Sequence, residues 1–292
     1  KKKIVEHINL AAMGKVIDFR PDLILVMALA PISPWFVEKA SSLGVVTAHW
    51  YVENYRYYPS NPLLPAWQIV APYYDYFFTI QRGGFHKKLS EMKARRVHYL
   101  PTACNPAVSK RRGCSGDTGK KYSSDICFVG FAYPNRTRLF QQMNGWDIKL
   151  WGPGWDQIPA LTSMAMGDGN WVDSHEESRI INGAKIGLNV HSTLDAGSLI
   201  IRGDFLNPRV FTLPACGAFQ LVDEQEGLEE VFEIGRQVAV YRDLESLKSQ
   251  IDRYLQDDSE RRRIAENGFQ RAMDEHTYGH RMKTLLETVG LW

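Results

Sequence analysis

The sequence has little of what would place it outside the ordinary α/β proteins. Its four cysteines, Cys104, Cys114, Cys127 and Cys216, show no CxxC spacing and no pairing with histidines, so zinc is not expected. Cys127 and Cys216 stand in apolar runs and read as core thiols, which fits a reducing, cytoplasmic location. No apolar run approaches the roughly 18 residues that a membrane-crossing helix needs. The longest, Leu23 to Pro31, has the length of a buried strand. Net charge is only +2, too little for a large nucleic-acid footprint, although a local anion site remains open. No repeat, low-complexity segment or Walker spacing occurs. No Asp-x-Asp pair stands at a strand end, so neither a required metal nor another cofactor is expected. Lys1-Lys2-Lys3 leads into a helix carrying Glu6 and His7, which is no signal peptide. The opening also lacks the strand and Gly-rich turn with which a Rossmann-like half starts, so the chain is expected to begin inside a domain.

What is present reads as alternating strands and helices. The 292 residues, 44% hydrophobic and 23% charged, suffice for two α/β domains of ordinary size. Ile4 to Phe19 is an amphipathic helix with Val5, Ile8, Ala12 and Val16 on one stripe. Leu23–Leu29 and Val45–Trp50 read as parallel strands, separated by a helix that Ser33-Pro34 opens and Gly44 stops. Past the second strand comes Tyr51 to Tyr58, YVENYRYY, whose aromatic density suits sugar stacking or, equally, packing under a loop. Glu53 is the candidate general base here and His49 the second. A helix over Leu63–Tyr73, a strand over Tyr76–Ile80, a helix over Phe85–Met92 and a strand over Val97–Leu100 complete a doubly wound half. The expected organisation is a first Rossmann-like domain over 1–110, a linker over 111–124, a second domain over 125–275, and a terminal segment over 276–292. The run KRRGCSGDTGKK reads as a solvated linker.

In the second half, Asp125–Val129 is a strand followed by Gly130, and Asn135-Arg136-Thr137-Arg138 opens a helix. Strand, glycine turn and arginine at a helix start is a recipe for binding a diphosphate, through spare N–H groups and a guanidinium. Gly130 and either Arg136 or Arg138 are the candidates, with two surface arginines as the plain alternative. Gly152 follows the next strand. Ser174 caps a helix in SHEES, and Arg261-Arg262-Arg263 reads as a solvated face. The central stretch is Asp204 to Leu221, DFLNPRVFTLPACGAFQL: an acid, the Asn207-Pro208 turn, an apolar helix start, small residues and a strand. Asp204 and Thr212 stand where a helix's first turn brings polar groups to one ligand. The alternative is a helix packed through Val210, Phe211 and Leu213.

This stretch resembles the donor site of glycosyltransferases with the GT-B fold, which has two Rossmann-like domains with parallel sheets facing a central cleft. Many retaining members carry Glu, seven residues, Glu, then a small-residue patch. Asp204 falls on the first Glu, Thr212 on the second, and Ala215-Cys216-Gly217 on the patch. The closer resemblance is to the CgeB-like branch, through NPRVFTLPACGAFQLVD, LEEVFEIGRQVAVYRD and EHTYGHRMKTLL, and it covers most of Asp125 to Leu286.

The resemblance implies that the second domain binds a nucleotide-diphosphate sugar and the first binds an acceptor. Asp204 would hold the transferred sugar, and Thr212 would stand at the ribose with one hydroxyl where the family has a carboxylate. The nucleotide base would lie against the backbone at Trp171-Val172-Asp173. Gly130 would line the diphosphate loop, while Asn207, Arg209 and the backbone at Val210 would add phosphate or sugar contacts. The terminal helix would return to the first domain through Met282, Leu285, Leu286 and Trp292. The expected activity is metal-independent glycosyl transfer to a cell-surface glycan, glycolipid or protein. The Asp204–Thr212 spacing leans to retention; a working Glu53 base would favour inversion. No nucleic-acid partner is expected, and peripheral membrane contact is left open. A non-catalytic nucleotide-sugar-binding or assembly module, or a nucleotide-sugar epimerase or hydrolase, are the competing readings.

Overall fold

The computed structural model describes residues 2–56, 67–113, 116–193 and 197–292. The chain divides into two compact units, residues 1–102 with 281–292, and residues 103–280.

In the first unit, α1 (Lys2–Phe19), β1 (Leu23–Met27), α2 (Pro34–Ser42), β2 (Val46–Tyr51), α3 (Trp67–Val70), β3 (Tyr76–Thr79), α4 (Gly84–Glu91) and β4 (Val97–Tyr99) alternate along the chain. The strands form a parallel sheet in the order β1-β2-β3-β4 among the described residues. Ser33 caps α2 by accepting from the Phe36 N–H, and Pro34 occupies the first helical turn, where a missing N–H costs nothing. Helix α1 is rolled relative to the expected stripe. Ile8 is exposed, and the buried face carries Asn9, Met13 and Val16. Asn9 explains the roll: its amide donates to Pro31 O at 2.8 Å, and its Oδ1 accepts from Ser33 N at 2.8 Å. A buried amide so satisfied pins α1 to the start of α2. The expected helix start at Leu63, like Tyr57 and Tyr58, lies outside the described residues.

The second unit runs α5 (Gly116–Tyr122), β5 (Ser124–Val129), α6 (Pro134–Phe140), β6 (Ile148–Trp151), β7 (Ala165–Met166), α7 (Ser174–Gly183), β8 (Ala184–Asn189), α8 (Arg209–Ala215), β9 (Gln220–Asp223), α9 (Leu228–Val231), β10 (Ala239–Tyr241), α10 (Leu244–Gln256) and α11 (Asp258–Glu275). Its parallel sheet has the order β10-β9-β8-β5-β6-β7. The chain leaves β5 toward β6 and β7, then returns to β8 on the other side of β5. The strand order therefore reverses between β5 and β8, and at such a point the carboxyl ends open a crevice.

The stretch read as a solvated linker is instead fastened to this unit. Arg111 stacks over Phe269 at 3.8 Å and pairs with Glu266, Arg112 N donates to Asn182 Oδ1, and α5 is helical. Arg261, expected on a solvated face, is buried and donates to Tyr254 O, while Arg262 and Arg263 stay exposed. The last helix, α12 (Tyr278–Val289), passes into the first unit at Arg281. There Leu285 and Val289 pack with Ala48, Trp50, Phe78 and Leu100, and Arg281 Nε donates to Pro101 O at 3.0 Å. Trp292 takes no part in that packing and is 74% exposed.

Helix α11 approaches its neighbour so closely that a Cβ at Gly268 would lie 2.4 Å from the Gln237 carbonyl oxygen. Glycine-to-alanine inside a helix ordinarily gains about 1 kcal/mol. Here the clash with backbone reverses the sign, and Gly268→Ala is expected to lower stability by about 1–3 kcal/mol. Chemical denaturation checks this; an unchanged or raised midpoint would show that the two segments separate freely.

Candidate donor site

The crevice between β5 and β8 is built around a cation. Arg209 opens α8, and its Nη1 donates to Val129 O at 2.9 Å, at the end of β5. Its Nη2 reaches Val190 O at 3.5 Å, just past β8, and its Nε contacts Asn189 Oδ1 at 3.3 Å. The guanidinium thus lies across the two strand ends that define the switch point. Burial pulls its pKa below the ordinary arginine value, and Glu177 and Asp223 offset part of that. No carboxylate lies within ion-pair distance of Arg209 among the described residues. A guanidinium stays charged in protein, so this is a partly buried positive charge at the switch point.

Gly130 makes room for that charge. A Cβ there would lie 2.8 Å from Arg209 Nη1, and the residue has φ +153°. Gly152 (φ +114°) lets the next loop close on Gly130, since its Cβ would come 2.8 Å from Gly130 O. The expected anion contact from the Gly130 N–H is corrected: that N–H donates to Trp151 O at 2.9 Å. Both glycines serve close packing under the guanidinium.

Arg136 is likewise corrected. It is 3% exposed, with Nε and Nη2 donating to Val190 O at 3.0 and 2.8 Å and Nη1 to Phe131 O at 3.1 Å. Three bonds to main-chain carbonyls make it a brace between α6 and the end of β8. Arg138 donates to Ser198 O at 3.0 Å and so ties α6 to the loop before Asp204. Arg136 and Arg209 both place their guanidinium carbons 5.0 Å from the centre of the Phe128 ring. The aromatic ring is a favourable neighbour for each cation.

A buried amide and imidazole network holds the 203–209 turn over the sheet edge. Asn207 and Asn189 exchange side-chain bonds at 2.8 and 3.1 Å, and Asn189 also donates to Gln220 Oε1 at 3.1 Å. The Asn207 amide is therefore consumed internally and does not face a ligand. Asn207 N donates to His191 Nε2 at 3.1 Å, which assigns the ring proton to Nδ1, donating to Asp223 Oδ1 at 2.6 Å. Asp223 Oδ2 accepts from His191 N and from Gln225 Nε2, and Gln225 Oε1 accepts from Gly203 N. None of Asn189, His191, Gln220, Asp223 or Gln225 was singled out by sequence reasoning. His191 precedes the loop and Asp223 ends a strand, but only the fold brings them together.

Val210 is fully buried and its N–H returns to Asn207 O, so it belongs to the core. Thr212 is half-exposed, and its hydroxyl donates to Pro208 O at 3.1 Å, leaving it as an acceptor only. Asp204 is half-exposed at the turn. Val172 lies in the extended lead to α7, which Asp173 caps by accepting from His175 N and Glu176 N. Beside it the 75%-exposed Trp171 meets Phe131 edge-to-face at 4.6 Å. Phe131 also lines a shallow recess of about 310 Å³ with Tyr133, Pro153 and Gly154.

In the first unit Glu53 is half-buried, and burial raises its pKa. Tyr51 and Tyr55, candidates for sugar stacking, are buried instead; Tyr55 stacks on Phe85 at 4.5 Å. His49 is not placed to act as a base. It is 3% exposed on β2, stacked on Phe77 at 4.9 Å. Neither ring nitrogen makes a hydrogen bond of normal geometry among the described residues. Burial lowers its pKa from 6.5 to about 3, and a weak polar contact with the Ala28 backbone offsets little of that.

The chain also matches known proteins. Residues 136–287 match the family model described as glycosyl transferase-like, and the chain belongs to that family. It is similar to spore protein CgeB of Bacillus subtilis (strain 168), 26% identical over 147 residues, which cover 46% of this chain and 44% of that one. The match thus spans less than half the length of that relative. Among solved structures, sucrose-phosphate synthase from Thermosynechococcus elongatus superposes with a TM-score of 0.64 at 13% identity, covering 99% of this chain and 79% of that one. Anabaena Alr3699/HepE, solved in complex with UDP and glucose, gives 0.66 at 10% identity, covering 99% and 82%. The chain has the GT-B fold of these proteins. No helix among the described residues is long and apolar enough to cross a membrane.

His49 supplies a prediction with a definite sign. The folded protein leaves the ring unprotonated down to about pH 3, while the unfolded chain binds a proton below about 6.5. The unfolded state binds more protons in that window, so stability rises with pH across it and falls on acidification. His49→Phe is expected to remove that acid-side loss, on the order of 4 kcal/mol at most over the window. Urea melts at pH 7 and pH 4 check it: equal acid losses in the variant and the parent would mean that His49 is protonated in the fold.

Proposed function

We propose that the chain transfers a sugar from a nucleotide-diphosphate sugar to an acceptor, with the donor held at the β5–β8 switch point of the second unit. The observation that carries this is Arg209: a half-buried guanidinium, without a carboxylate partner among the described residues, laid across the two strand ends with Gly130 cut back to admit it. In the reaction an acceptor hydroxyl oxygen bonds to the anomeric carbon while the bond to the diphosphate oxygen breaks. The electron pair leaves with the diphosphate, and a fixed cation there stabilises the growing charge. Arg209 takes that role, with no metal required of the chain's own residues. Asp204 orients the sugar hydroxyls, and the backbone at Val172 with the Trp171–Phe131 pair receives the base. The first unit takes the acceptor, whose hydroxyl proton passes to the departing diphosphate oxygen; a working Glu53 base would instead give inversion. Family membership and a fold neighbour solved with UDP and glucose support the reading. Retention of anomeric configuration, a cytoplasmic location, an acceptor among surface glycans, glycolipids or proteins, and peripheral membrane contact complete the proposal.

One observation favours a second reading. Thr212 turns its only hydroxyl hydrogen back to Pro208 O. A donor site weakened at that point fits a module that binds nucleotide sugars without turnover.

Thermal melts against nucleoside diphosphates and their sugars test both readings. A bound ligand at about 100 times its Kd stabilises by about 2.7 kcal/mol. Arg209→Ala should lower the affinity roughly tenfold to a hundredfold, the cost of a charge-assisted bond, and Arg209→Lys less. Asp204→Ala should cut sugar transfer while sparing nucleoside diphosphate binding, and Arg263→Ala should change neither. Binding without turnover would select the second reading, and equal small effects at Arg209 and Arg263 would sink the site.

A further inference from the structure

Helices α7 and α8 lie on one face of the second sheet. Ile180 and Ile181 of α7 pack in one cluster with Leu213 and Cys216 at α8, and Ser178 Oγ meets Cys216 Sγ at 3.6 Å. Residues three and four apart share a helix face. Glu177 therefore continues the Ile180–Ile181 stripe one turn toward the carboxyl edge of the sheet, and Arg209 continues the Leu213 stripe in the same direction. The two charges interact, yet they do not close into an ion pair. Among the described residues the Glu177 carboxylate has neither a hydrogen bond nor a salt bridge, although the residue is half-buried. Burial raises its pKa, and Arg209 offsets that only in part.

The Glu177 carboxylate, half-buried and without donors among the described residues, stays open to donors from a ligand. Its two oxygens can accept from two adjacent hydroxyls, which a threonine cannot do, least of all one already bonded to Pro208 O. A nucleotide carries such a pair on its ribose, joined directly to the phosphates that Arg209 would meet. We propose that Glu177 accepts the ribose hydroxyls of the nucleotide, from the helix beside the one on which Thr212 stands. This rests on the donor-site reading above. It assigns to Glu177 the discrimination between ribonucleotides and deoxyribonucleotides.

Calorimetric titration of the full chain separates the two ideas. The probes are uridine, adenosine and guanosine 5′-diphosphates and the 2′-deoxy and 3′-deoxy forms of whichever binds. The parent protein is expected to prefer the ribo form tenfold or more. Glu177→Gln should bring the ribo and deoxy forms within about twofold of each other while binding the deoxy form as well as the parent does. If that variant is shown not to fold, Glu177→Asp reads the same ratio and should reduce it severalfold. A ribo preference that survives in the folded variant overturns the assignment but leaves the donor site standing, as does a parent protein without any preference. A parent that binds none of the diphosphates overturns the donor-site reading and this assignment with it.

Discussion

A single guanidinium ties together the carboxyl edge of the second unit. Arg209 reaches the main-chain carbonyls at the ends of β5 and β8, the two strands between which the strand order reverses. Main-chain carbonyls bring no full negative charge, so they hold the cation without neutralising it. Among the described residues the charge is therefore not closed into a structural salt bridge. The glycines on either side follow from the same constraint. Gly130 cannot carry a side chain because Arg209 lies there, and Gly152 cannot because Gly130 lies there. The loops that look glycine-rich for the sake of a phosphate are glycine-rich, at least in part, for the sake of an arginine.

The cost of holding such a charge is distributed over a buried polar network. Asn189, Asn207 and Gln220 satisfy one another behind Arg209, while His191, Asp223 and Gln225 tie down the neighbouring turn. Each buried donor and acceptor in this set has a partner, which is the condition under which a polar core rigidifies instead of destabilising. The orienting effect reaches Asp204, which lies between two fixed points: Gly203, held by Gln225, and Asn207, held by His191.

Much of this fold was legible from the sequence, because apolar strand runs and capped helices report local physics. Ser33-Pro34 and Asp243 cap the helices they precede, whereas α7 is capped by Asp173, one residue before the expected Ser174. The stretch from Asp204 to Leu221 also contains Arg209 and the turn that the buried polar network holds. What did not show was the direction in which side chains turn. Arg136 and Arg209 are the same residue type at the start of similar short helices, both bonded to strand-end carbonyls, and only the tertiary structure buries the first and leaves the second half-exposed. His49 and Tyr51 share one face of β2 and Trp50 lies on the other, and all three are buried because β2 is covered on both faces. A catalytic histidine and a core histidine look alike when only the neighbours in sequence are visible.

Thr212 and Glu177 mark where motif reasoning stops and geometry takes over. Reading along one helix, a missing carboxylate at 212 looks like a lost function. Reading across the face that α7 and α8 share, a carboxylate stands within electrostatic reach of Arg209, one turn above the Ile180–Leu213 packing. A ligand meets side chains by position in space and is indifferent to the helix that carries them. Charge supplied from a neighbouring element can therefore stand in for charge absent from a motif. The same physics limits the exchange: the substitute must be left without donors of its own, as the Glu177 carboxylate is among the described residues.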